Sequence, residues 1–184
     1  MKNFRREHLE FSQCGLNCLL CPMHINKYCP GCGGGDGNQS CAVARCAIEQ
    51  KAGEFCSQCS RFPCKRLEKI MEYDSFLPHS QMLQDLKRAE EVGLDAYRKQ
   101  LEERRAILDQ LLADWNDSKR KSFFCLAAYL LELDGLCRAF GEILEAGSGE
   151  VPIKEKALTA AAALKAEAQK QGVTLKLNKR PKER

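Results

Sequence analysis

Ten of the twelve cysteines in this 184-residue chain fall between Cys14 and Cys64, and no other feature restricts its folding as strongly. In order they are Cys14, Cys18, Cys21, Cys29, Cys32, Cys41, Cys46, Cys56, Cys59 and Cys64. Three pairs, Cys18/Cys21, Cys29/Cys32 and Cys56/Cys59, are spaced C-x-x-C. A two-residue gap lets both sulfurs of a tight turn face one ion, with zinc–sulfur distances of about 2.3 Å. A segment this short cannot bury an adequate core of its own and needs a staple.

The expected compartment decides what the staple is. The charged start MKNFRREHLEF has no apolar run behind it, so no export signal is predicted. The longest apolar run, Phe123–Leu131, falls well short of the roughly 18 residues of a membrane span. A cytoplasmic, reducing location follows as the expectation, and clustered cysteines there act as metal ligands rather than disulfides. The formal net charge of +4 counts every thiol as neutral. A zinc ion with four thiolates carries two negative charges, so two such sites would bring the total to zero. The basic pI of 8.4 is therefore no sign of a nucleic-acid partner.

Turn formers punctuate the cysteine region. Pro22 and Pro30 follow ligand candidates, and residues 32–40 form a glycine-rich linker that lacks the strand and spacing of a phosphate-binding loop. Ser40 is placed to cap a short helix from Cys41, which Gly53 would end. Cys41 and Cys46 then lie about 140° apart around that helix and would share one ion poorly. Cys64 opens another helix beside Lys65 and Arg66, which favours a thiolate.

Beyond Pro78 the composition turns to Leu, Ala, Glu, Lys and Arg. Apolar spacing predicts helices over Ser80–Val92, Asp95–Trp115, Lys121–Leu133, Leu136–Ala146 and Pro152–Gln171, with breaks at Gly93, Asp134-Gly135 and residues 147–149. Lys121–Leu133, apolar nearly all round, is the expected central helix. Trp115 and Tyr97 belong to the apolar stripe, and Cys125 and Cys137 are expected as small buried hydrophobes. His8 and His79 lack recognisable partners and are expected at the surface. The basic end, with Lys176, Lys179, Arg180, Lys182 and Arg184, is expected as a solvated tail.

The motif CGLNCLLCP at Cys14–Pro22 resembles the opening of an uncharacterised cysteine-rich bacterial and archaeal family, the domain-of-unknown-function family 3795. The likeness continues through Cys29-Pro30-Gly31-Cys32, Cys41, Cys46-Ala47, Phe55-Cys56-Ser57-Gln58-Cys59 and Phe62-Pro63-Cys64. It covers roughly residues 12–70 and implies a metal-binding module, with no activity attached. His24 stands where many relatives carry an aromatic residue, which makes it a local substitute or an additional ligand.

Ten thiols exceed the eight that two four-cysteine zinc sites require. One partition joins Cys29, Cys32, Cys41 and Cys46 in a local site and closes a second from Cys18, Cys21, Cys56 and Cys59. Cys14 and Cys64 would then replace one ligand each or form a third site with His24 and His79. Spacing alone leaves the partition open. Cys14-x₃-Cys18-x₂-Cys21 also matches the cluster motif of radical enzymes that use S-adenosylmethionine, but no repeated strand–helix units follow it. An iron–sulfur cluster in a redox or sensing protein remains the alternative. Cys64 as a nucleophile is weaker, because nine other thiols surround it.

The expected fold class is mainly α: an irregular multi-knuckle metal-binding domain over residues 1–76, packed on an α-helical subdomain over 77–184, with little regular sheet. The expected function is a zinc-binding structural or interaction module, with no catalysis of its own and two or more zinc ions. The sequence leaves the partner open, a protein being one candidate; a nucleic-acid-binding zinc module is a further alternative, though nucleic acid is disfavoured, and no membrane is expected.

Overall fold

The computed structural model describes residues 4–35, 41–147 and 150–181. The expected linker residues 36–40 with the Ser40 cap, part of the turn at 147–149, and Lys182 and Arg184 lie outside the described residues. The chain is mainly helical, and the described residues contain no sheet, only an isolated antiparallel bridge between Arg5 and Gly34. Its helices are α1 (Pro22–Ile25), α2 (Ala42–Gln50), α3 (Lys65–Met71), α4 (Met82–Val92), α5 (Leu94–Asp114), α6 (Lys121–Leu130), α7 (Leu133–Ala146) and α8 (Ile153–Lys170). Single 3₁₀ turns occur at Cys18–Leu20 and Cys56–Gln58.

Two compact units divide the chain: Met1–Lys99 with Leu177–Arg184, and Gln100–Lys176. Met82 and Leu86 of α4 are fully buried in the first unit. Gly15, with φ of 96°, sits so near α4 that a Cβ there would lie 2.3 Å from the Met82 carbonyl oxygen and 2.9 Å from Leu86 Cγ. Phe11 forms the middle of this core, its ring centroid 5.2 Å from Phe55 and 5.0 Å from Tyr97. The Tyr97 hydroxyl donates to Asn17 Oδ1 at 3.0 Å, and Asn17 Nδ2 donates to Asp85 at 3.3 Å. The C-G-L-N-C motif is thus built into the apolar core by its non-cysteine residues.

The first unit corrects several sequence-based expectations. His79 is buried, with Nδ1 paired to the Ile70 carbonyl at 2.9 Å, Nε2 paired to Ser75 Oγ at 2.7 Å, and its backbone N–H donating to Asp74. His8 stacks on Phe55, and its Nδ1 lies 3.5 Å from Glu10. The basic end is not a purely solvated tail. Asn178 exchanges hydrogen bonds with Asp74, Lys179 Nζ donates to the Ser75 carbonyl, and Arg180 covers Tyr73. Helix α2 stops at Gln50 because Lys51 takes the left-handed position (φ 51°), rather than continuing to Gly53. Gly53 instead leaves room for Gln58, whose Oε1 accepts the Phe55 N–H.

In the second unit α8 packs on α7 and α6 through small residues, with Ala157, Ala160 and Leu164 fully buried. Helix α6 ends three residues earlier than its apolar pattern suggests. Buried Arg104 donates through Nη1 to the carbonyls of Ala128 (2.8 Å) and Leu131 (2.5 Å), satisfying the end of the helix. Asp134-Gly135 therefore lies within the first turn of α7 instead of forming a break. A Cβ at Gly135 would meet Gln171 Nε2 at 1.9 Å and Glu167 Oε1 at 2.2 Å, so these side-chain ends would have to shift to admit one. Trp115 and Cys125 are buried as expected, but Cys137 is only partly buried and donates to Glu103 at 3.7 Å.

Candidate metal centre

No disulfide joins any of the cysteines among the described residues. Short local backbone closures shape the segment that carries ten of them. Cys18 and Cys21 flank one 3₁₀ turn, closed by the Cys21 N–H on the Cys18 carbonyl at 3.0 Å. Cys56 and Cys59 repeat the device at 3.1 Å. Each pair thus spans one i to i+3 backbone closure. The pair Cys29/Cys32 lacks such a turn: the Cys29 N–H instead returns to the Met23 carbonyl at 3.2 Å. Cys41 and Cys64 stand immediately before α2 and α3, and Cys46 lies within α2.

Four thiols, Cys46, Cys56, Cys59 and Cys64, line one cavity of about 30 Å³, with Val43, Ala47 and Leu67 as its apolar walls. That volume exceeds the 10–15 Å³ or so that a single water needs. Arg61 and Arg66 also border it, and Arg66 Nη1 donates to the Ala42 carbonyl at 3.3 Å, tying α3 to the start of α2. Burial pushes the Cys56 thiol up to about 12, and repulsion from Cys14, Cys64, Cys59 and Cys46 adds to the rise.

A second set surrounds Cys18. Burial raises the Cys18 thiol well above its ordinary value, with Cys32, Cys14, Cys21 and Cys29 contributing in that order. Cys14, likewise raised by burial to about 11, also feels Cys32 and Cys41. Its sulfur lies 3.2 Å from Ser12 Oγ, and the Leu16 N–H offsets part of the rise. Cys32 is raised by burial, offset in part by the Gln13 N–H and by Arg6, and it too neighbours Cys41. Cys21 is raised by burial, with the N–H groups of Met23 and His24 opposing the rise and Cys29 adding to it. N–H groups directed at sulfur stabilise the thiolate form that a metal ligand must adopt.

Cys46, Cys56, Cys59 and Cys64 line one cavity, while burial raises Cys14, Cys18 and Cys32, with repulsion between thiols adding to each rise. Repulsion from both Cys14 and Cys64 acts on Cys56. Among the described residues, no three His, Cys, Asp or Glu side chains already stand in a metal-holding arrangement. The two sets are neighbouring thiols rather than closed tetrahedra. Both ring nitrogens of His79 are engaged elsewhere, which removes it from the ligand set expected with Cys14 and Cys64. His24 Nδ1 pairs with the Cys29 carbonyl at 3.1 Å.

Three supporting residues escaped the sequence pattern. Arg6 is 2% exposed at its side chain, ion-paired with Glu54 at 3.0 Å, and donates to the carbonyls of Phe11 and Cys32. Gln13 joins the two sets: its carbonyl accepts the Cys56 N–H at 2.8 Å, while its N–H faces Cys32. Ser12 Oγ accepts the Leu16 N–H at 2.7 Å and shapes the loop that presents Cys14. None carries a motif.

Comparison with protein-family models, curated proteins and solved structures found no match.

Proposed function

We propose that residues 14–64 form an all-thiolate zinc module with two centres, one at Cys46, Cys56, Cys59 and Cys64 and one organised on Cys14, Cys18, Cys32 and Cys41. Its role is structural, presenting a folded surface for interaction with another protein. The observation that carries this reading is the cavity of about 30 Å³ that four cysteines from α2, a 3₁₀ turn and the start of α3 line together. An apolar pocket walled by Val43, Ala47 and Leu67 has no need of four thiols for packing alone. All-sulfur donor sets select zinc or iron–sulfur clusters.

Zinc would fasten segments that a small apolar core holds weakly. Apparent binding free energies of structural zinc in small domains are about 10–16 kcal/mol, enough to decide whether such a segment folds. The resemblance to family 3795 supports the same reading and adds no activity to it. Elemental analysis of anaerobically purified protein tests it. Colourless protein with zinc supports the proposal. A brown protein with iron and sulfide replaces zinc by a cluster, and protein without metal refutes both.

A further inference from the structure

A second cavity in the first unit, of about 240 Å³, has no cysteine in its lining. Phe11, Phe55, Leu86 and Ala89 supply apolar walls, with Ser57 and Glu90 among its polar groups. Gly93 also borders it, and a Cβ there would meet nothing within 4 Å, so the cavity is open at that point. Its volume exceeds the 150 Å³ or so of an apolar cavity that takes up benzene. It falls short of the roughly 300–1,000 Å³ of sites for whole small molecules. One large aromatic side chain is the occupant of matching size.

The charge beside this opening is one-sided. Glu90 and Glu91, both exposed, stand in the last turn of α4, and that turn holds no basic residue. A helix C-terminus is the negative end of the helix dipole, where cations rather than carboxylates are stabilising. The two carboxylates add to the negative potential there. An occupant that brings a cation next to its aromatic ring therefore complements both the walls and the rim.

The chain itself displays such a pair. Tyr28 is 72% exposed, more than any other large hydrophobic side chain among the described residues, and exposed Lys27 precedes it. Their loop is pinned, with the Lys27 N–H on the His24 carbonyl and the Tyr28 N–H on the Met23 carbonyl, both at 3.0 Å. An anchor on a pre-set loop loses little backbone freedom on docking. A tyrosine joins an apolar ring to a polar tip, as the cavity joins its apolar walls to Ser57.

We propose that Tyr28 of one copy of this chain docks in the cavity of a second copy, with Lys27 facing Glu90 and Glu91. This rests on the interaction role proposed above and names its partner, without depending on the metal. The contact is heterologous, because anchor and cavity are different surfaces and each copy carries both.

Sedimentation equilibrium of the full-length protein as purified, at micromolar to millimolar concentration, is the test, with zinc per chain measured on the same sample. The average mass is expected to rise above the 20.7 kDa of one chain as concentration increases, and to rise less at high salt. Tyr28→Ser and Glu90→Lys, both at exposed positions, are each expected to weaken association by about tenfold or more. Tyr28→Ser keeps the cavity and Glu90→Lys keeps the anchor, so mixing the two should recover one-to-one pairing, which also shows that both variants are folded. Unmutated protein that stays at the mass of one chain overturns the proposal, and if it holds zinc the metal module still stands. Single-chain protein that binds N-acetyl-Lys-Tyr-amide gives the cavity to a different protein and equally overturns it. Association unchanged by Tyr28→Ser overturns it as well. Association that Tyr28→Ser abolishes, in protein without zinc, supports the docking while refuting the metal reading.

Discussion

Replacing Gly15 by alanine isolates the contact that anchors the first cysteine loop. Two terms set the cost. The backbone at Gly15 has φ of 96°, and a side chain in left-handed space costs about 1–2 kcal/mol. The new Cβ would also lie 2.3 Å from the Met82 carbonyl oxygen, a backbone atom that cannot rotate away. Overpacking of this kind adds about 1–3 kcal/mol. A total near ~3 kcal/mol corresponds to a melting temperature lower by about 6–12 °C in a chain of this size. Gly93→Ala is the control, because Gly93 has a similar φ of 84° but nothing within 4 Å of its Cβ position. It should lose only the backbone term. Thermal unfolding of metal-loaded protein followed by circular dichroism compares the two. Equal melting temperatures for both variants would refute a close approach between the Cys14–Cys18 loop and α4.

Other outcomes follow from the same chemistry. On chelation, the helices of Gln100–Lys176 should persist, since their burial relies on Leu108, Phe124, Leu136 and Leu164 rather than on clustered thiols; complete loss of the helical circular dichroism signal would contradict this. In metal-free protein, burial holds Cys14 at about 11 and Cys56 at about 12, above the ordinary 9.0, so folding favours the neutral thiols. That stability is complete below pH 9 and lost as pH rises toward 11–12, and a denaturation midpoint unchanged over this range would refute it. The Glu167 carboxyl is held below its ordinary 4.5 by Gln171 and then Arg138, so its contribution is present above that value and lost as pH falls through the lowered one. Glu167→Gln should remove that acid-side loss and cost about 1–3 kcal/mol at neutral pH, as chemical denaturation would measure.

Much of the fold was legible because its signals are local. Apolar spacing located α4, α5 and α8 to within two residues, since stripes such as Met82, Leu86 and Ala89 report a buried face directly. Where a distant side chain intervened, local pattern failed. Arg104 ends α6 from another helix, and Glu167 with Gln171 make Gly135 a packing glycine rather than a breaker. The cysteine region shows the same division. The C-x-x-C turns at Cys18 and Cys56 follow from spacing, whereas the grouping of Cys46 with Cys64 depends on how α2 meets α3. Gln13 and Arg6 act through backbone groups and ion pairing, which leave no periodic trace in sequence.

X-ray absorption at the zinc edge, on protein purified anaerobically without added metal, tests the metal module most directly. The account predicts bound zinc with a sulfur-only shell of four atoms at about 2.3 Å. Absence of zinc, or a shell containing nitrogen or oxygen at about 2.0–2.2 Å, would contradict it.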